Sequence, residues 1–195
     1  MDEMTIDQAR DLLYEESPAA AEETSEDVAA EVDASEPNVK DAVGLGVDIV
    51  EIDRMAALIA RSPRFTERVF SEQERAYCDA KSNPAAHYAA RFAAKEAVVK
   101  ALGTGFSQGI GVRDIEVRLF ASGKPVVSLS GKAAEVATQR GVRDISISLT
   151  YTRTEAVACA LATTEASLRA SEQRVDPMEE LAKLFKETRS MLDEL

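Results

Sequence analysis

The chain has 195 residues, of which 45% are hydrophobic and 30% charged, with a net charge of −12 and two cysteines. This length predicts one domain with extensions, because single domains usually have about 100–200 residues. The cysteines lie outside any Cys-x-x-Cys spacing, which argues against a disulfide framework or a zinc site. Without a long apolar run or a secretory signal, we expect a cytoplasmic protein with no membrane association.

The negative charge is concentrated near the N-terminus. Residues 1–40 contain 13 acidic and 2 basic side chains, residues 41–165 contain 15 and 16, and residues 166–195 contain 7 and 5. We expect residues 1–40 to form a disordered acidic arm with a transient helix near Ile6–Tyr14. The arm is either a solvated tail, which the composition favours, or a cover for a basic surface of the chain.

The middle segment, residues 41–165, carries the predicted domain. A β-branched strand over 43–52 is followed by helices over 53–61, near 65–70 and from Ser71, where Ser71 and Glu74 form a capping-box pattern. The longest helix is predicted over 84–102, with Gly103 as its left-handed cap. Strands over 114–120 and 126–129, a helix from Ser130 to Gly141, and a hairpin of strands over 144–150 and 156–162 complete the domain.

We summarise the order of elements as βαααββαββ. Strands and helices do not alternate regularly, so the sequence predicts an α+β fold with an antiparallel sheet and a long packed helix. Residues 166–195 are predicted to be a linker, up to residue 175, followed by an amphipathic helix that begins at Asp176.

Asp48 lies within the first predicted strand, on the face that it shares with Gly46 and Val50. A carboxylate has poor β-propensity, and its burial costs free energy unless a partner compensates it. Two interpretations stay open, since Asp48 either bonds to local backbone or binds a metal or a substrate.

Glu96 and Lys100 are one helical turn apart in RFAAKEAVVKALGTG, on the face of Phe92 and Val99. One interpretation is a surface ion pair, which would contribute about 0.3–0.5 kcal/mol. The apolar neighbours instead favour an inward-facing site, and the glycines after the helix would let a backbone approach a ligand closely. The single histidine, His87, is expected to cap or pack the start of this helix.

Four arginines, Arg54, Arg61, Arg64 and Arg68, lie within 15 residues, with Arg54 and Arg61 on one side of the first predicted helix. They are either solvated surface or a docking patch for an acidic partner. No aromatic residues are interleaved with them, so we expect no nucleic acid partner.

Four motifs occur in a fixed order: GLGVDIVEIDRM, RFAAKEAVVKALGTG, DIEV with SGKPVVSLSG, and SLTYTRTEAVA. Over about residues 43–163 they resemble the holo-acyl-carrier-protein synthase family of 4′-phosphopantetheinyl transferases. The resemblance implies Mg²⁺-dependent transfer of phosphopantetheine from coenzyme A to a serine of acyl carrier protein, with release of adenosine 3′,5′-bisphosphate. It also implies the fold of that family, a homotrimer with active sites between subunits, and a role in fatty acid biosynthesis.

The resemblance further implies roles for individual residues. The metal ligands would be Asp48 and Glu96, and the catalytic residues Glu96, Lys100 and Tyr151. The coenzyme A contacts would be Arg91, Gly103, Thr104, Gly105, Lys124, Pro125 and Thr152. Acyl carrier protein would dock on Arg54, Arg61 and Arg64. Mg²⁺ commonly takes one or two carboxylates together with substrate phosphates. The base that accepts the serine proton stays open between Glu96 and a metal-bound hydroxide.

The chain departs from the family pattern at Tyr151, where the family usually has histidine. Tyrosine, with a reference pKa of about 10, donates only a neutral hydrogen bond near pH 7, whereas histidine can carry charge. We therefore expect that coenzyme A binds more weakly or that another group takes over. Two other hypotheses stay open: a catalytically weakened homologue that acts as a carrier-binding or assembly subunit, and a Mg²⁺-dependent nucleotide-binding module.

Overall fold

The computed structural model describes residues 4–15, 44–104, 109–172 and 185–186. The helices are α1 (Ile6–Tyr14), α2 (Ile52–Arg61), α3 (Pro63–Val69), α4 (Glu72–Asp79), α5 (Pro84–Ala101), α6 (Gly131–Gln139) and α7 (Glu165–Glu172). The strands are β1 (Gly44–Glu51), β2 (Ile115–Leu119), β3 (Pro125–Leu129), β4 (Val142–Tyr151) and β5 (Glu155–Thr164). A 3₁₀ turn, Val112–Asp114, precedes β2.

The described strands form two antiparallel sheets. One contains β1, β5 and β4 in that order, with β5 central, and the other is the β2–β3 hairpin. The predicted α+β class and antiparallel pairing are confirmed. Four helices, α2 to α5, lie between β1 and β2. The sequence predicted a segment for each of these four helices, but the summary βαααββαββ counted only three of them and is wrong on that point.

Helix α5 lies at the centre of the fold, and nearly all of its side chains are buried. The three-stranded sheet packs on one side of it, and α2, α4 and β2 pack on the others. A Cβ atom at Gly44 or Gly46 of β1 would lie 1.9 Å from the backbone oxygen of Ala101 or Ala97. Only glycine fits at these two positions, so the backbone of β1 lies directly against α5.

A buried ion pair joins α4 to α5. The side chains of Lys95 and Glu74 are fully buried, and Lys95 Nζ lies 3.0 Å from Glu74 Oε2. Lys95 also donates a hydrogen bond to the carbonyl oxygen of Ile115. Glu74 accepts hydrogen bonds from the N–H groups of Ser71 and Val117 and completes the predicted capping box. The pair therefore connects α4, α5 and β2.

The N-terminal segment differs from its prediction. Helix α1 begins with a capping box and packs on the domain, and its segment pairs with the loop before β2 through an antiparallel bridge between Thr5 and Gly111. The buried apolar side chains here are Met4, Ile6, Ala9 and Leu13. The prediction of a disordered arm is therefore corrected for residues 4–15. The rest of the predicted arm lies outside the described residues.

The C-terminal segment begins with a helix where a linker was predicted. Helix α7, Glu165–Glu172, occupies most of the predicted linker. The predicted amphipathic helix from Asp176 lies outside the described residues, apart from residues 185–186. Among the helices that the structure describes, none has the length and apolar character needed to cross a membrane.

Candidate active site

Asp48 faces α5 from the inner side of the three-stranded sheet. It lies opposite Ala158 of β5, whose side chain is buried. Lys100 Nζ lies 2.8 Å from Asp48 Oδ1 and 3.0 Å from the carbonyl oxygen of Val47. Burial raises the pKa of Asp48, and the hydrogen bond from Lys100 opposes that rise. The carboxylate therefore has a charged partner on another element, beyond any bond to local backbone.

Glu96 lies one helical turn before Lys100 and is only 2% exposed. Its Oε1 atom is buried without a hydrogen-bond partner. Burial, and after it the charge of Asp48, raises the pKa of Glu96 to about 7. Among the described contacts Lys100 pairs with Asp48 and not with Glu96, so the surface ion pair considered above is absent there. Two acids and one lysine, from β1 and α5, thus form one site.

The two acids fit a divalent cation. Mg²⁺ prefers hard oxygen ligands and needs only one or two carboxylates when substrate phosphates and water supply the rest. A buried carboxylate oxygen without a partner, such as Glu96 Oε1, is a group that a cation would satisfy. In the parts of the chain that the structure describes, no three His, Cys, Asp or Glu side chains form a cluster suited to a metal ion. Among the described residues, the protein ligands available at this site are therefore Asp48 and Glu96.

A second cluster surrounds Arg91 near the start of α5. Arg91 is 3% exposed, and its Cζ atom lies 4.1 Å from the ring centroid of Tyr77. The ring of His87 packs edge-on against Tyr77 and Tyr151, with centroid distances of 5.6 and 5.3 Å. Burial, then the charges of Arg91 and Lys81, lowers the pKa of His87. The packing role expected for His87 is observed, and the buried Arg91 Nε atom has no hydrogen-bond partner.

The sheet brings Tyr151 to the same side as Asp48. Tyr151 ends β4, is 49% exposed, and lies opposite Ala156 of β5, which is buried against α5. Arg91 and Glu96 are separated by about 7.5 Å along the axis of α5, at 1.5 Å per residue.

The loop after α5 was predicted to contact coenzyme A. Gly103 has a φ of 64°, which is the predicted left-handed cap, and Thr104 is 5% exposed. Gly105 lies outside the described residues. Sequence reasoning missed Arg140, whose Nη1 atom would lie 2.7 Å from a Cβ at Gly103. Arg140 and Gly103 line a cavity of about 210 Å³ together with Lys100.

The remaining predicted coenzyme A contacts lie in turns. Lys124 and Pro125 are at the β2–β3 turn, and no described contact joins them to the acidic pair. Thr152 lies in the β4–β5 turn, where its Oγ1 atom accepts a hydrogen bond from the N–H of Glu155 at 3.1 Å. The structure therefore brings together the residues of β1, β4 and α5, while Lys124 and Pro125 stay apart from them within the described residues.

Helix α1 reaches the acidic pair, which sequence reasoning missed. The Tyr14 hydroxyl donates to the carbonyl oxygen of Ile49 at 3.4 Å. Burial, then the charges of Asp48 and Glu96, raises the pKa of Tyr14. Burial raises the pKa of both Asp48 and Glu96, and the charge of Arg10 opposes that rise. The sequence pattern that could have indicated a packed helix here is the capping box at the start of α1, followed by apolar residues at helical spacing.

The three arginines predicted to dock a carrier lie on α2 and at the start of α3. Arg54 Cζ lies 4.7 Å from the ring centroid of Tyr14, and Arg61 Nη2 donates to the carbonyl oxygen of Leu12 at 2.5 Å. Arg64 is exposed. Two of the three therefore contact α1.

The outer face of the three-stranded sheet exposes apolar side chains. The largest are Leu45 (64% exposed), Ile49 (53%), Val47 (46%) and Leu161 (38%). In the β1–β5 register Leu45 lies opposite Leu161, so the patch crosses both strands. Contiguous exposed apolar surface of this kind marks an interaction face.

Comparison with known proteins points to one family. A sequence model of the 4′-phosphopantetheinyl transferase superfamily matches residues 44–162. The chain is 45% identical over 114 residues to the holo-acyl-carrier-protein synthase of Syntrophus aciditrophicus, covering 58% of this chain and 89% of that protein. It is 56% identical over 89 residues to the synthase of Protochlamydia amoebophila, covering 45% of this chain and 73% of that protein.

Solved structures agree with the sequence relatives. The Plasmodium yoelii acyl carrier protein synthase with ADP bound superposes with a TM-score of 0.57 at 31% identity, covering 64% of this chain and 98% of that one. The Helicobacter pylori holo-acyl-carrier-protein synthase in complex with coenzyme A gives a TM-score of 0.54 at 28% identity, covering 61% of this chain and 99% of that one.

Proposed function

The chain belongs to the 4′-phosphopantetheinyl transferase superfamily and is a transferase, and we propose that it is a holo-acyl-carrier-protein synthase. The proposed reaction moves 4′-phosphopantetheine from coenzyme A to a serine of apo acyl carrier protein. The observation that carries the proposal is the shared site of Asp48, Glu96 and Lys100 between β1 and α5. The proposal includes a role in fatty acid biosynthesis in the cytoplasm.

We propose that Asp48 and Glu96 hold Mg²⁺, which supplies positive charge to the diphosphate of coenzyme A. The unpartnered Oε1 atom of Glu96 and the burial of both acids support this assignment. Burial raises the pKa of both acids, and the charge of Asp48 raises that of Glu96 further, so a bound cation would compensate charge at this site.

The remaining chemistry is assigned to Glu96 and Lys100. The serine oxygen forms a bond to the phosphorus that carries the pantetheine arm, while the bond from that phosphorus to the bridging oxygen breaks. Adenosine 3′,5′-bisphosphate leaves with the bridging oxygen, and the serine proton passes to Glu96. Glu96 is a carboxylate of the same site, which supports its assignment as the proton acceptor. The Lys100 ammonium stabilises negative charge that develops on the phosphate oxygens.

We propose that Arg91 and Tyr151 bind the rest of coenzyme A, with the loops at Gly103 and Thr152. Arg91 is buried with an unpartnered Nε–H, so a phosphate oxygen would satisfy a donor that the protein leaves open. Tyr151 lies at the open end of the same cluster, against His87. This arrangement supports a phosphate contact by Arg91 and a neutral hydrogen bond from Tyr151.

We also propose that the chain forms a homotrimer. The support is the apolar outer face of β1 and β5, which would leave Leu45, Val47 and Ile49 exposed in an isolated chain. Burial of that face against another copy would remove it from water.

The function is tested by incubation of the full chain with apo acyl carrier protein, coenzyme A and Mg²⁺, followed by mass spectrometry of the carrier. A carrier heavier by one phosphopantetheine supports the proposal. The second hypothesis, a catalytically weakened carrier-binding subunit, is favoured by the tyrosine at position 151. It would be supported by carrier binding without an adduct. If the chain neither binds the carrier nor modifies it, both hypotheses are contradicted.

Replacement of Tyr151 by histidine should tighten coenzyme A binding about 5-fold, because a charged donor contributes about 1 kcal/mol more than a neutral one. The gain should be larger near pH 6 than near pH 8, since imidazole is protonated below a pKa of about 6.5. Titration calorimetry measures the dissociation constants, and Tyr151→Phe is the control that removes the hydroxyl alone. Equal or weaker binding by Tyr151→His at both pH values would contradict the assignment.

Reversal of charge at Arg64 should raise the KM for acyl carrier protein by roughly tenfold at low ionic strength and leave the KM for coenzyme A unchanged. Arg54 and Arg61 also contact α1, so Arg64 isolates the effect on the carrier. Steady-state kinetics of Arg64→Glu are compared with those of Arg169→Glu, an exposed arginine of α7. Similar KM values for the two variants would refute docking at Arg64.

A further inference from the structure

We propose that α1 is a displaceable cover, which occupies the carrier-docking face of this chain until an acidic carrier protein replaces it. The proposed docking face is formed by the arginines of α2 and the start of α3. Helix α1 contacts two of these arginines and the strand that carries Asp48. The inference rests on the proposed function, because that function supplies the partner that competes with α1.

Contacts at two points hold α1 on α2. Arg61 donates to the carbonyl oxygen of Leu12 at 2.5 Å, which uses a charged donor on the backbone of α1. The Arg54 guanidinium lies over the ring of Tyr14 at 4.7 Å. A carrier that uses the same two guanidinium groups must therefore compete with α1 for them.

The same helix lies beside the acidic pair. The Tyr14 hydroxyl bonds to the carbonyl oxygen of Ile49, the residue after Asp48. The charge of Arg10 acts on both Asp48 and Glu96, so a cation of α1 compensates part of their negative charge. Because α1 contacts the arginines and the strand that carries Asp48, a carrier that docks on these arginines would meet α1 beside the acidic pair.

The charge of α1 matches that of the partner it would exclude. Residues 5–15 contain three acidic side chains and one basic side chain. An acidic amphipathic helix is the kind of partner that a row of arginines attracts. In α1 this chain supplies such a helix itself, next to the catalytic domain.

The shortness of α1 means that its helical structure depends on packing against the domain. It has nine residues, and helices shorter than about 12–15 residues are marginal without tertiary packing. Its stability therefore depends on the burial of Ile6, Ala9 and Leu13.

Hydrogen–deuterium exchange of the full chain tests the cover directly. Apo acyl carrier protein is added at saturation without coenzyme A, so no transfer occurs. We expect the amides of α1 to exchange at least about tenfold faster with the carrier, because the closed population falls, while the amides of α2 become more protected. Unchanged or slower exchange in α1, with α2 protected, would overturn the inference and leave the proposed function intact. No protection of α2, together with no transfer in the mass assay, would refute the proposed function and this inference with it.

A variant gives the kinetic readout. Leu13→Gln places a polar side chain where Leu13 is 2% exposed and should release α1, so the KM for the carrier should fall at least about 5-fold. The matched control is Leu168→Gln, at a position of α7 that is 44% exposed, where the KM should stay within about twofold of the parent value. Circular dichroism checks that Leu13→Gln is folded. A folded Leu13→Gln variant with an unchanged or higher KM for the carrier would contradict the cover.

Discussion

Replacement of Glu96 by glutamine should slow phosphopantetheine transfer at least about 100-fold, the range that loss of a positioned base produces. The amide keeps the shape of the side chain but neither accepts the serine proton nor carries the charge that a divalent cation needs. The mass assay for the carrier adduct, run as a time course, measures the rate. A rate within about tenfold of the parent would remove Glu96 from the mechanism.

The same substitution should stabilise the folded chain above neutral pH. Burial raises the pKa of Glu96 from its ordinary value of 4.5 to about 7, so the folded state binds this proton more tightly than the unfolded state. The free energy of unfolding of the parent therefore falls as the pH rises from 4.5 to 7, by about 3 kcal/mol in total. Glu96→Gln lacks this penalty and should be the more stable protein near pH 8, with little difference near pH 4.5.

Two controls separate this effect from general stabilisation. Glu135→Gln changes an exposed glutamate of α6 and should alter neither the rate nor the pH dependence of unfolding. Added Mg²⁺ should raise the melting temperature of the parent near pH 8 and leave that of Glu96→Gln almost unchanged. Equal stability of parent and Glu96→Gln across this pH range would contradict the buried, charged state assigned to Glu96.

Replacement of Lys95 by methionine should destabilise the fold by about 3–5 kcal/mol, the cost of leaving one partner of a buried ion pair alone. Glu74 would stay fully buried, and its remaining partners among the described residues would be the N–H groups of Ser71 and Val117. Denaturant unfolding near neutral pH measures the loss. Lys132→Met, at an exposed ion pair of α6, is the matched control and should cost less than about 1 kcal/mol.

A double variant tests the cause of that loss. Glu74→Gln combined with Lys95→Met removes both charges, so its cost should be smaller than the sum of the two single costs. Additive costs would mean that the two side chains contribute independently, and the account of a compensated ion pair would then be wrong.

Local patterns predicted most of the elements well. Alternation of apolar residues located β2 and the β4–β5 hairpin, and the capping box at Ser71 located the start of α4. Alternation also placed Asp48 on the face that it shares with Gly46 and Val50, which is the inner face of β1 in the structure. Strand alternation and capping boxes involve residues only a few positions apart, so they can be predicted from the sequence without knowledge of the fold.

Contacts between distant segments were not predictable in the same way. The bond from Lys100 to Asp48 depends on how β1 lies along α5, and the contact of His87 with Tyr151 joins the start of a helix to the end of a strand. Burial of α1 was missed because the composition of residues 1–40 was averaged over the whole segment. The few apolar residues of α1 were outweighed by the acidic residues that follow.

The close approach of β1 to α5 at two glycines has a consequence for cation selectivity. At Gly44 and Gly46 the backbone of β1 contacts the backbone of α5 directly. The strand therefore cannot move closer to the helix, and moving it away would break this contact. The spacing between the backbones that carry Asp48 and Glu96 is thus fixed in part by this contact. We therefore expect the site to adapt to cations of different radius, such as Mg²⁺ and Ca²⁺, mainly through the side-chain torsions of these two acids.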